Sequence, residues 1–372
     1  MLERKSFILL ISIILGSVLM SACASTEASS GAIPEDKISL QITQVDTSQF
    51  PLVYVYVSAR DATGNSVPVP INDIVLMENS KPIDSKSIQG TDEVTAFTSL
   101  LLIDNSGSMN FSEKLDSAKL AASAYIEQMR ASDSAGIITF NTEIKTVQEI
   151  TSDKQALLTA IAGIRAQHDT AMWDALMTSV ETLNSISGRK AIILLTDGMD
   201  NESAITSADI LAAIGEGGLS ISTIGFGTKP EEEESPDEYE GIDEATLNNL
   251  AQEAGGIYGY AQDPDALIGL YDSIRQSLQS EVVISYITPQ TLRDGVKRSL
   301  SVQLSGSWQN RVAGSSSSYN PGGLVPEVPD PENWGLFLIL LGILLAALII
   351  PLTINVAKNK KKKKKIRIKL KD

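Results

Sequence analysis

Cysteine and histidine are almost absent from this 372-residue chain, which has one of each, Cys23 and His168. A disulfide within the chain is therefore impossible, and thiol chemistry would have to use Cys23. A Ser-His-Asp hydrolase would need His168 beside a nucleophile and an orienting acid, and no G-x-S-x-G turn occurs. No P-loop or G-x-G-x-x-G motif follows an apolar run either. We therefore expect that the chain is not an enzyme.

Basic residues are few outside the two ends of the chain. The sequence has 30 Lys and Arg against 46 Asp and Glu, a formal net charge of −16. Residues 358–372 alone contain ten basic residues and one acid. Residues 1–22 contain two basic residues and one acid. The remaining segment has 18 basic and 44 acidic residues, a charge of −26. Such a surface repels nucleic acid, so we expect no nucleic-acid partner.

The first 22 residues have the features of a signal peptide. Arg4 and Lys5 precede an apolar run from Phe7 to Met20. Ser21-Ala22-Cys23 resembles a bacterial lipobox, which implies lipidation of Cys23 and a lipidated tether over residues 23–37. Small and acidic residues in that tether favour a flexible chain. An uncleaved signal anchor is the alternative.

The carboxyl-terminal part indicates a membrane span. Residues 321–333 are rich in proline and acid and predict a stiff stalk, and residues 334–357 contain no charge. At 1.5 Å per residue, 24 residues can cross a bilayer of about 30 Å. The basic tail at 358–372 indicates a cytoplasmic end. We expect a single-pass prokaryotic membrane protein with an extracytoplasmic ectodomain.

Between these ends, polar oxygen ligands follow two apolar runs. Asp104, Ser106 and Ser108 come directly after Ser99–Ile103, and Asp197 follows Ala191–Leu195. Thr170 precedes the helical segment 171–185. The carboxyl ends of parallel strands lie at one edge of a sheet, so we expect these five side chains to converge.

Carboxylates and hydroxyls without thiolate or imidazole suit a hard divalent cation. Mg²⁺ is the first choice, with Mn²⁺ and Ca²⁺ as alternatives. A single D-x-S-x-S run is also common in turns and helix caps, because Asp and Ser favour both. The metal prediction therefore depends on three features that occur together: the D-x-S-x-S run, Thr170 before a helix and Asp197 after the second apolar run.

The D-x-S-x-S run, the later Thr170 and the T-D-G turn at 196–198 resemble the metal-ion-dependent adhesion site of von Willebrand factor type A domains. The resemblance covers about residues 96–280. It implies a Rossmann-like, doubly wound, mostly parallel sheet and a metal with an open position for a partner's carboxylate. Many relatives have two glycines where this chain has His168 and Asp169. Asp169 is therefore a candidate outer group beside the ion.

Segments 38–95 and 281–320 have short alternating strands separated by turn residues, which favours a β-sandwich. Neither segment has enough strands to close one, so we expect one sandwich with the α/β domain inserted in it. Two separate β modules are the alternative. The acidic loop 229–241 indicates a solvated insertion, and weak Ca²⁺ binding there is the other interpretation.

Together these features predict an adhesion or scaffold protein on the cell surface that binds a protein partner through an acidic residue of that partner. One alternative is a membrane-bound assembly factor that recruits an enzyme or transporter complex. A surface hydrolase is a further alternative, which the missing triad spacing disfavours.

Overall fold

The fold is taken from a computed structural model that describes residues 38–84, 88–91, 96–166, 170–200, 202–215, 217–227, 242–305, 312–313, 315–321, 338 and 341–345. The expectations for the signal peptide, Cys23 and its tether, the acidic loop, His168, Asp169 and the basic tail lie outside these residues. Of the expected membrane span only Leu338 and residues 341–345 are described, and they are helical. No helix in the described ranges is both long and apolar enough to cross a membrane.

Besides the helical residues 338 and 341–345, the described part of the chain contains fifteen strands and six α-helices. Before the α/β region come β1 (Ile38–Asp46), β2 (Leu52–Arg60), β3 (Ile74–Glu78), β4 (Lys81–Pro82) and β5 (Gln89–Thr91). The α/β region contains β6 (Phe97–Asp104), α1 (Lys114–Gln128), β7 (Ser134–Phe140), β8 (Ile144–Thr151), α2 (Lys154–Ala162), α3 (Met172–Asn184), β9 (Arg189–Thr196), α4 (Ser207–Ala213), β10 (Ser220–Phe226), α5 (Glu244–Glu253), β11 (Gly255–Ala261) and α6 (Pro264–Gln279). After it come β12 (Val282–Ile287), β13 (Arg298–Leu304), β14 (Val312–Ala313) and β15 (Ser315–Tyr319).

The α/β region is built on a mixed six-stranded sheet with the order β11-β10-β9-β6-β7-β8. All neighbouring strands are parallel except β8, which pairs antiparallel with β7 at the edge. The predicted α/β fold with a mostly parallel sheet is confirmed, and β8 makes the sheet a mixed one. Nearly continuous apolar runs in β6 and β9 are typical of strands that are covered on both faces.

Helices cover both faces of this sheet. Side chains of Leu101 and Ile103 in β6 pack with α1, α2 and α6 in one hydrophobic cluster. Leu100 and Leu102, which point to the opposite face, pack with α3, α4 and α5 in another. The sheet is therefore doubly wound, with helices on both faces. Loops cover the amino and carboxyl ends of its strands.

Strands from both flanking segments combine into two further sheets. One has the order β14-β1-β2-β12-β5, and the other β15-β13-β3-β4. Both contain pairs formed between segments, β2 with β12 and β3 with β13. Side chains of the two sheets share one hydrophobic cluster that includes Val55, Leu76, Ile284 and Val302.

Four of these strands have no clear strand pattern of their own in the sequence. β4 and β5 are two and three residues long, and β14 has two residues. β15 has the sequence SSSSY, which has no apolar alternation, and it is held by pairing with β13 and by a hydrogen bond from the Tyr319 hydroxyl to Glu78 (3.1 Å). Its formation depends on a neighbouring strand, which a local pattern cannot show.

Candidate metal centre

The candidate site lies at the carboxyl edge of the α/β sheet, at the point where the strand order reverses. β6 lies between β9 and β7, and the chain leaves β6 towards β7 before it returns to β9 on the other side. Ligands of open α/β sheets bind in the crevice at such a point. Asp104 is the last residue of β6, and Asp197 directly follows β9.

Four of the five predicted residues form one hydrogen-bonded group. Ser108 Oγ donates to Asp197 Oδ1 (2.7 Å) and lies 3.0 Å from Ser106 Oγ. The backbone N–H of Ser106 donates to Asp104 Oδ1 (2.8 Å). Both carboxylates are fully buried, and Ser106 is buried with them. Residues separated by up to 93 positions are thus joined at one place, from Asp104 to Asp197.

Thr170, the fifth predicted residue, is buried in the segment that leads into α3. The next residue, Ala171, donates its backbone N–H to Asn141 O (2.9 Å), which connects this segment to the end of β7. Asn141 also donates to Asn105 Oδ1 (3.3 Å), beside Asp104. Thr170 therefore lies at the same edge of the sheet as the other four residues.

Asp200 determines where this segment lies, and sequence analysis did not single it out. Its carboxylate accepts hydrogen bonds from the backbone N–H groups of Met172 (2.6 Å) and Trp173 (3.0 Å) and from Ser203 Oγ (2.6 Å). The helix α3 has no side-chain cap from its own N-cap residue, Ala171. Asp200 supplies that cap from the loop after β9.

Two more residues contact the carboxylates and were also missed. Thr196 Oγ1 donates to Asp104 Oδ2 (2.8 Å), and Lys114 Nζ donates to Asp197 Oδ2 (2.8 Å). Thr196 is the first residue of the T-D-G turn, but the sequence does not show in which direction its hydroxyl group points. Lys114 is the first residue of α1, where the helix dipole disfavours a cation. This unfavourable position is the one feature of the sequence that indicates an acidic partner for Lys114.

Burial and mutual repulsion raise the free energy of the ionised carboxylates. Desolvation by burial, and then the charge of Asp197, raise the pKa of Asp104 from 3.8 to about 6, although hydrogen bonds from Ser106 and Thr196 lower it. A divalent cation between the two carboxylates would remove this repulsion. The charge of the group therefore fits a cation.

The donor set fits a hard ion as well. It consists of carboxylate and hydroxyl oxygens, the ligands that Mg²⁺, Mn²⁺ and Ca²⁺ prefer. The part of the chain described by the structure has no group of three or more His, Cys, Asp and Glu that could hold a metal. The hydroxyl oxygens of Ser106 and Ser108 are those that a metal here would find beside the two carboxylates.

Comparison with known proteins agrees with this architecture. Residues 99–199 match the family model of the von Willebrand factor type A domain. This match begins in β6 and ends just after Asp197, so it includes all five candidate ligands. Residues 99–199 of this chain are therefore similar to a von Willebrand factor type A domain.

Individual relatives are distant. The chain is 26% identical over 215 residues to a UPF0353 protein of Nocardia farcinica, a match covering 50% of this chain and 64% of that protein. It thus spans less than two thirds of that relative. A conserved hypothetical protein BatB from Bacteroides thetaiotaomicron is 23% identical over 49% of this chain and 98% of its own, with a TM-score of 0.40. Proximal thread matrix protein 1 from the mussel byssus, with a zinc-occupied MIDAS motif, is 17% identical over 54% of this chain and 50% of its own, with a TM-score of 0.43.

Proposed function

We propose that this chain is a membrane-anchored, extracytoplasmic protein that binds a partner protein through a divalent cation in its α/β domain. The observation that carries the proposal is the buried, hydrogen-bonded group of Asp104, Ser106, Ser108 and Asp197 at the reversal point of the sheet. The two buried carboxylates repel each other, and the ammonium group of Lys114 pairs with Asp197, whereas Asp104 has no ion pair among the described residues.

The cation would be held by Asp104, Ser106, Ser108, Thr170 and Asp197, with Mg²⁺ as the first choice. When bound, it supplies a coordination position that a carboxylate of the partner can occupy. The chain's own residues position and shield that ion: Thr196 orients Asp104, and Asp200 holds the helix start beside Thr170.

Exposed apolar side chains favour a protein partner over a free small acid. Phe111 is 68% exposed, Met199 40% and Ile144 37%. Phe111 follows the D-x-S-x-S run, Met199 follows Asp197, and Ile144 pairs with the last residue of β7. All three therefore belong to the carboxyl edge of the sheet. Exposed apolar groups around a polar centre are typical of binding surfaces.

Charge adds a reason for this apolar rim. The segment between the leader and the basic tail has a charge of −26, which repels an acidic partner at long range. Coordination to the cation and apolar contact act only at close range, so they must supply the affinity.

The proposed anchoring is based on the sequence of both ends: a signal peptide with Cys23 as lipidation site, and the uncharged residues 334–357 followed by the basic tail. We propose a non-catalytic role. The sequence has no G-x-S-x-G turn and a single histidine, so it offers little from which a Ser-His-Asp triad could be built. The hydroxyl groups of Ser106 and Ser108 lie 3.0 Å apart, and Ser108 Oγ donates to Asp197 Oδ1, an arrangement that suits shared metal ligands.

Calorimetric titration of the full chain in detergent with Mg²⁺, Mn²⁺ and Ca²⁺ tests the metal site. We expect saturable binding by the wild type, loss of binding in the double variant Asp104→Ala, Asp197→Ala, and unchanged binding in Asp116→Ala. Asp116 is a matched control because its side chain is 81% exposed on α1. Absence of saturable binding by the wild type would contradict the proposal.

A further inference from the structure

Lys114 places a second cation next to the candidate metal site. Its Nζ lies 2.8 Å from Asp197 Oδ2, and its side chain is only 8% exposed. The other oxygen of Asp197 accepts the hydrogen bond from Ser108 Oγ. Asp197 is therefore engaged on both oxygens, one of them by a full positive charge.

The position of Lys114 is costly apart from this contact. Burial removes water from the ammonium group, and the amino end of a helix repels a cation. The two residues before it, Ser112 and Glu113, have left-handed backbone angles (φ 54° and 56°), which are unfavourable for residues other than glycine. Three unfavourable features thus coincide where the ammonium group reaches Asp197.

We propose that Lys114 is an internal counter-cation that competes with the divalent metal for Asp197, so that metal binding displaces its ammonium group. This inference rests on the proposed metal site. Without metal, the ammonium group offsets the charge of the buried Asp197 carboxylate. With metal, the Asp197 carboxylate would be shared with an ion of the same sign, and the two cations would repel each other.

If Lys114 instead supported metal binding, replacing it would change the metal affinity in the opposite direction. If Lys114 only oriented Asp197 for the metal, removing its charge would leave Asp197 less ordered and would weaken metal binding. If Lys114 competes, removing its charge strengthens metal binding. The sign of the change in affinity therefore distinguishes the two roles.

The test compares the full-length wild type in detergent with Lys114→Met and Lys119→Met by calorimetric titration with Mg²⁺ and Mn²⁺. Lys119→Met is the control because Lys119 lies on the same helix and pairs with the exposed Asp116 (3.5 Å). We expect the Kd of Lys114→Met to fall at least tenfold, which is about 1.4 kcal/mol, and that of Lys119→Met to stay at the wild-type value. Thermal unfolding should show that Lys114→Met is less stable than wild type in a chelator and regains stability at saturating metal.

A second measurement needs no variant, so it decides the question even if Lys114→Met does not fold. The wild type is treated with an amine-acetylating reagent with and without saturating Mg²⁺, and the labelled lysines are quantified by mass spectrometry. We expect metal to increase labelling of Lys114 several-fold and to leave Lys119 unchanged. Unchanged or reduced labelling of Lys114 would overturn the inference.

The outcomes separate this inference from the metal proposal. If the wild type binds metal and Lys114→Met binds it equally or more weakly, the inference is wrong and the metal site stands. If only Lys114→Met binds metal, the competition by the lysine stands and the proposal that the wild-type chain binds metal is wrong. If neither chain binds metal, both are wrong.

Discussion

Asp104 and Asp197 are both fully buried. The groups around them determine how much the site lowers the free energy of unfolding when no metal is bound. Asp104 accepts hydrogen bonds from Ser106 and Thr196, whereas Asp197 has Ser108 and the ammonium of Lys114. The two carboxylates thus differ in their partners. Asp104 has no ion pair among the described residues, and its pKa is raised to about 6. The ionised form of Asp104 is therefore unfavourable in the folded, metal-free protein.

Replacing Asp104 with Asn should raise the stability of the metal-free protein at pH 7. The raised pKa means that the folded state binds a proton more tightly than the unfolded state, so this carboxylate's contribution to stability is full below pH 4 and is lost as pH rises through 6. We expect Asp104→Asn to gain on the order of 2 kcal/mol at pH 7 and almost nothing at pH 4. Thr196 can still accept from the new amide while it donates to Gly198 O (3.2 Å).

Urea unfolding of the full chain in a chelator at both pH values measures this difference, with Asp116→Asn as the exposed control. Added Mg²⁺ should stabilise the wild type and leave Asp104→Asn unchanged, because the variant has lost a ligand. A variant that is less stable than wild type at pH 7 would show that the burial penalty is not the dominant effect.

At the scale of elements, the site is assembled from the end of β6, the turn before α1, the start of α3 and the loop after β9. Asp200 connects the last two through its hydrogen bonds to Met172 and Trp173. Asp153 caps α2 in the same manner, with hydrogen bonds from Gln155 (2.9 Å) and Ala156 (3.2 Å). Both carboxylates accept hydrogen bonds from backbone N–H groups at the start of a helix. Only Asp200 caps a helix that begins at the candidate site.

We therefore expect Asp200→Ala to lose stability and metal affinity, and Asp153→Ala to lose stability alone. Loss of a helix cap costs about 1 kcal/mol. Without Asp200, two of the hydrogen bonds that tie the start of α3 to the loop after Asp197 are lost, so we expect the segment that carries Thr170 to be held less firmly and the Kd for Mg²⁺ to rise several-fold. Calorimetry and urea unfolding of both variants provide the comparison. Equal metal affinity in the two variants would exclude a positioning role for Asp200.

At the scale of the whole molecule, the α/β region is attached to the flanking sheets at the edge opposite the candidate site. Arg189, the first residue of β9, donates to Glu281 Oε1 (2.7 Å), to Gln44 Oε1 (3.1 Å) and to Ser220 Oγ (2.9 Å). Gln44 also donates to the backbone oxygens of Gly188 (2.9 Å) and Gly217 (2.8 Å). The eight residues of β9 span about 26 Å, so this junction and Asp197 are far apart.

Close backbone approach completes the junction. Gly255 has a positive φ of 69°, and a Cβ there would lie 2.6 Å from Thr43 O in β1. Only glycine permits both that angle and that approach. Because charge, hydrogen bonds and backbone contact all join the two parts, we expect the junction to contribute strongly to global stability.

Breaking the buried ion pair tests this. Glu281→Gln leaves the buried Arg189 without its counter-charge, and we expect a loss of about 3–5 kcal/mol in the free energy of unfolding. The double variant Arg189→Met, Glu281→Gln should recover part of that loss, since it removes the unpaired charge. Metal affinity should be unchanged in any variant that remains folded. Urea unfolding and calorimetry measure both quantities, and a loss below 1 kcal/mol in Glu281→Gln would contradict a structural role for the pair.

Much of the fold was predictable because its signals are local. Apolar runs in β6 and β9, and the three- and four-residue spacing of Leu115, Ala118 and Ala122 in α1, depend only on neighbours in the chain. The sequence of β15 has no such signal, and its strand exists through pairing with β13. Prediction thus succeeded where each element has its own pattern and failed where an element depends on another.

The candidate site divides in the same way. By itself, the sequence determined the ligand types and their places at strand ends, since Asp104 and Asp197 each follow an apolar run that must lie in a covered sheet. Only the tertiary structure decided which groups surround those ligands: Lys114 reaches Asp197 across 83 residues, and Thr196 reaches Asp104 across 92. The direction of such side chains is determined by packing between distant segments, so no local pattern contains it.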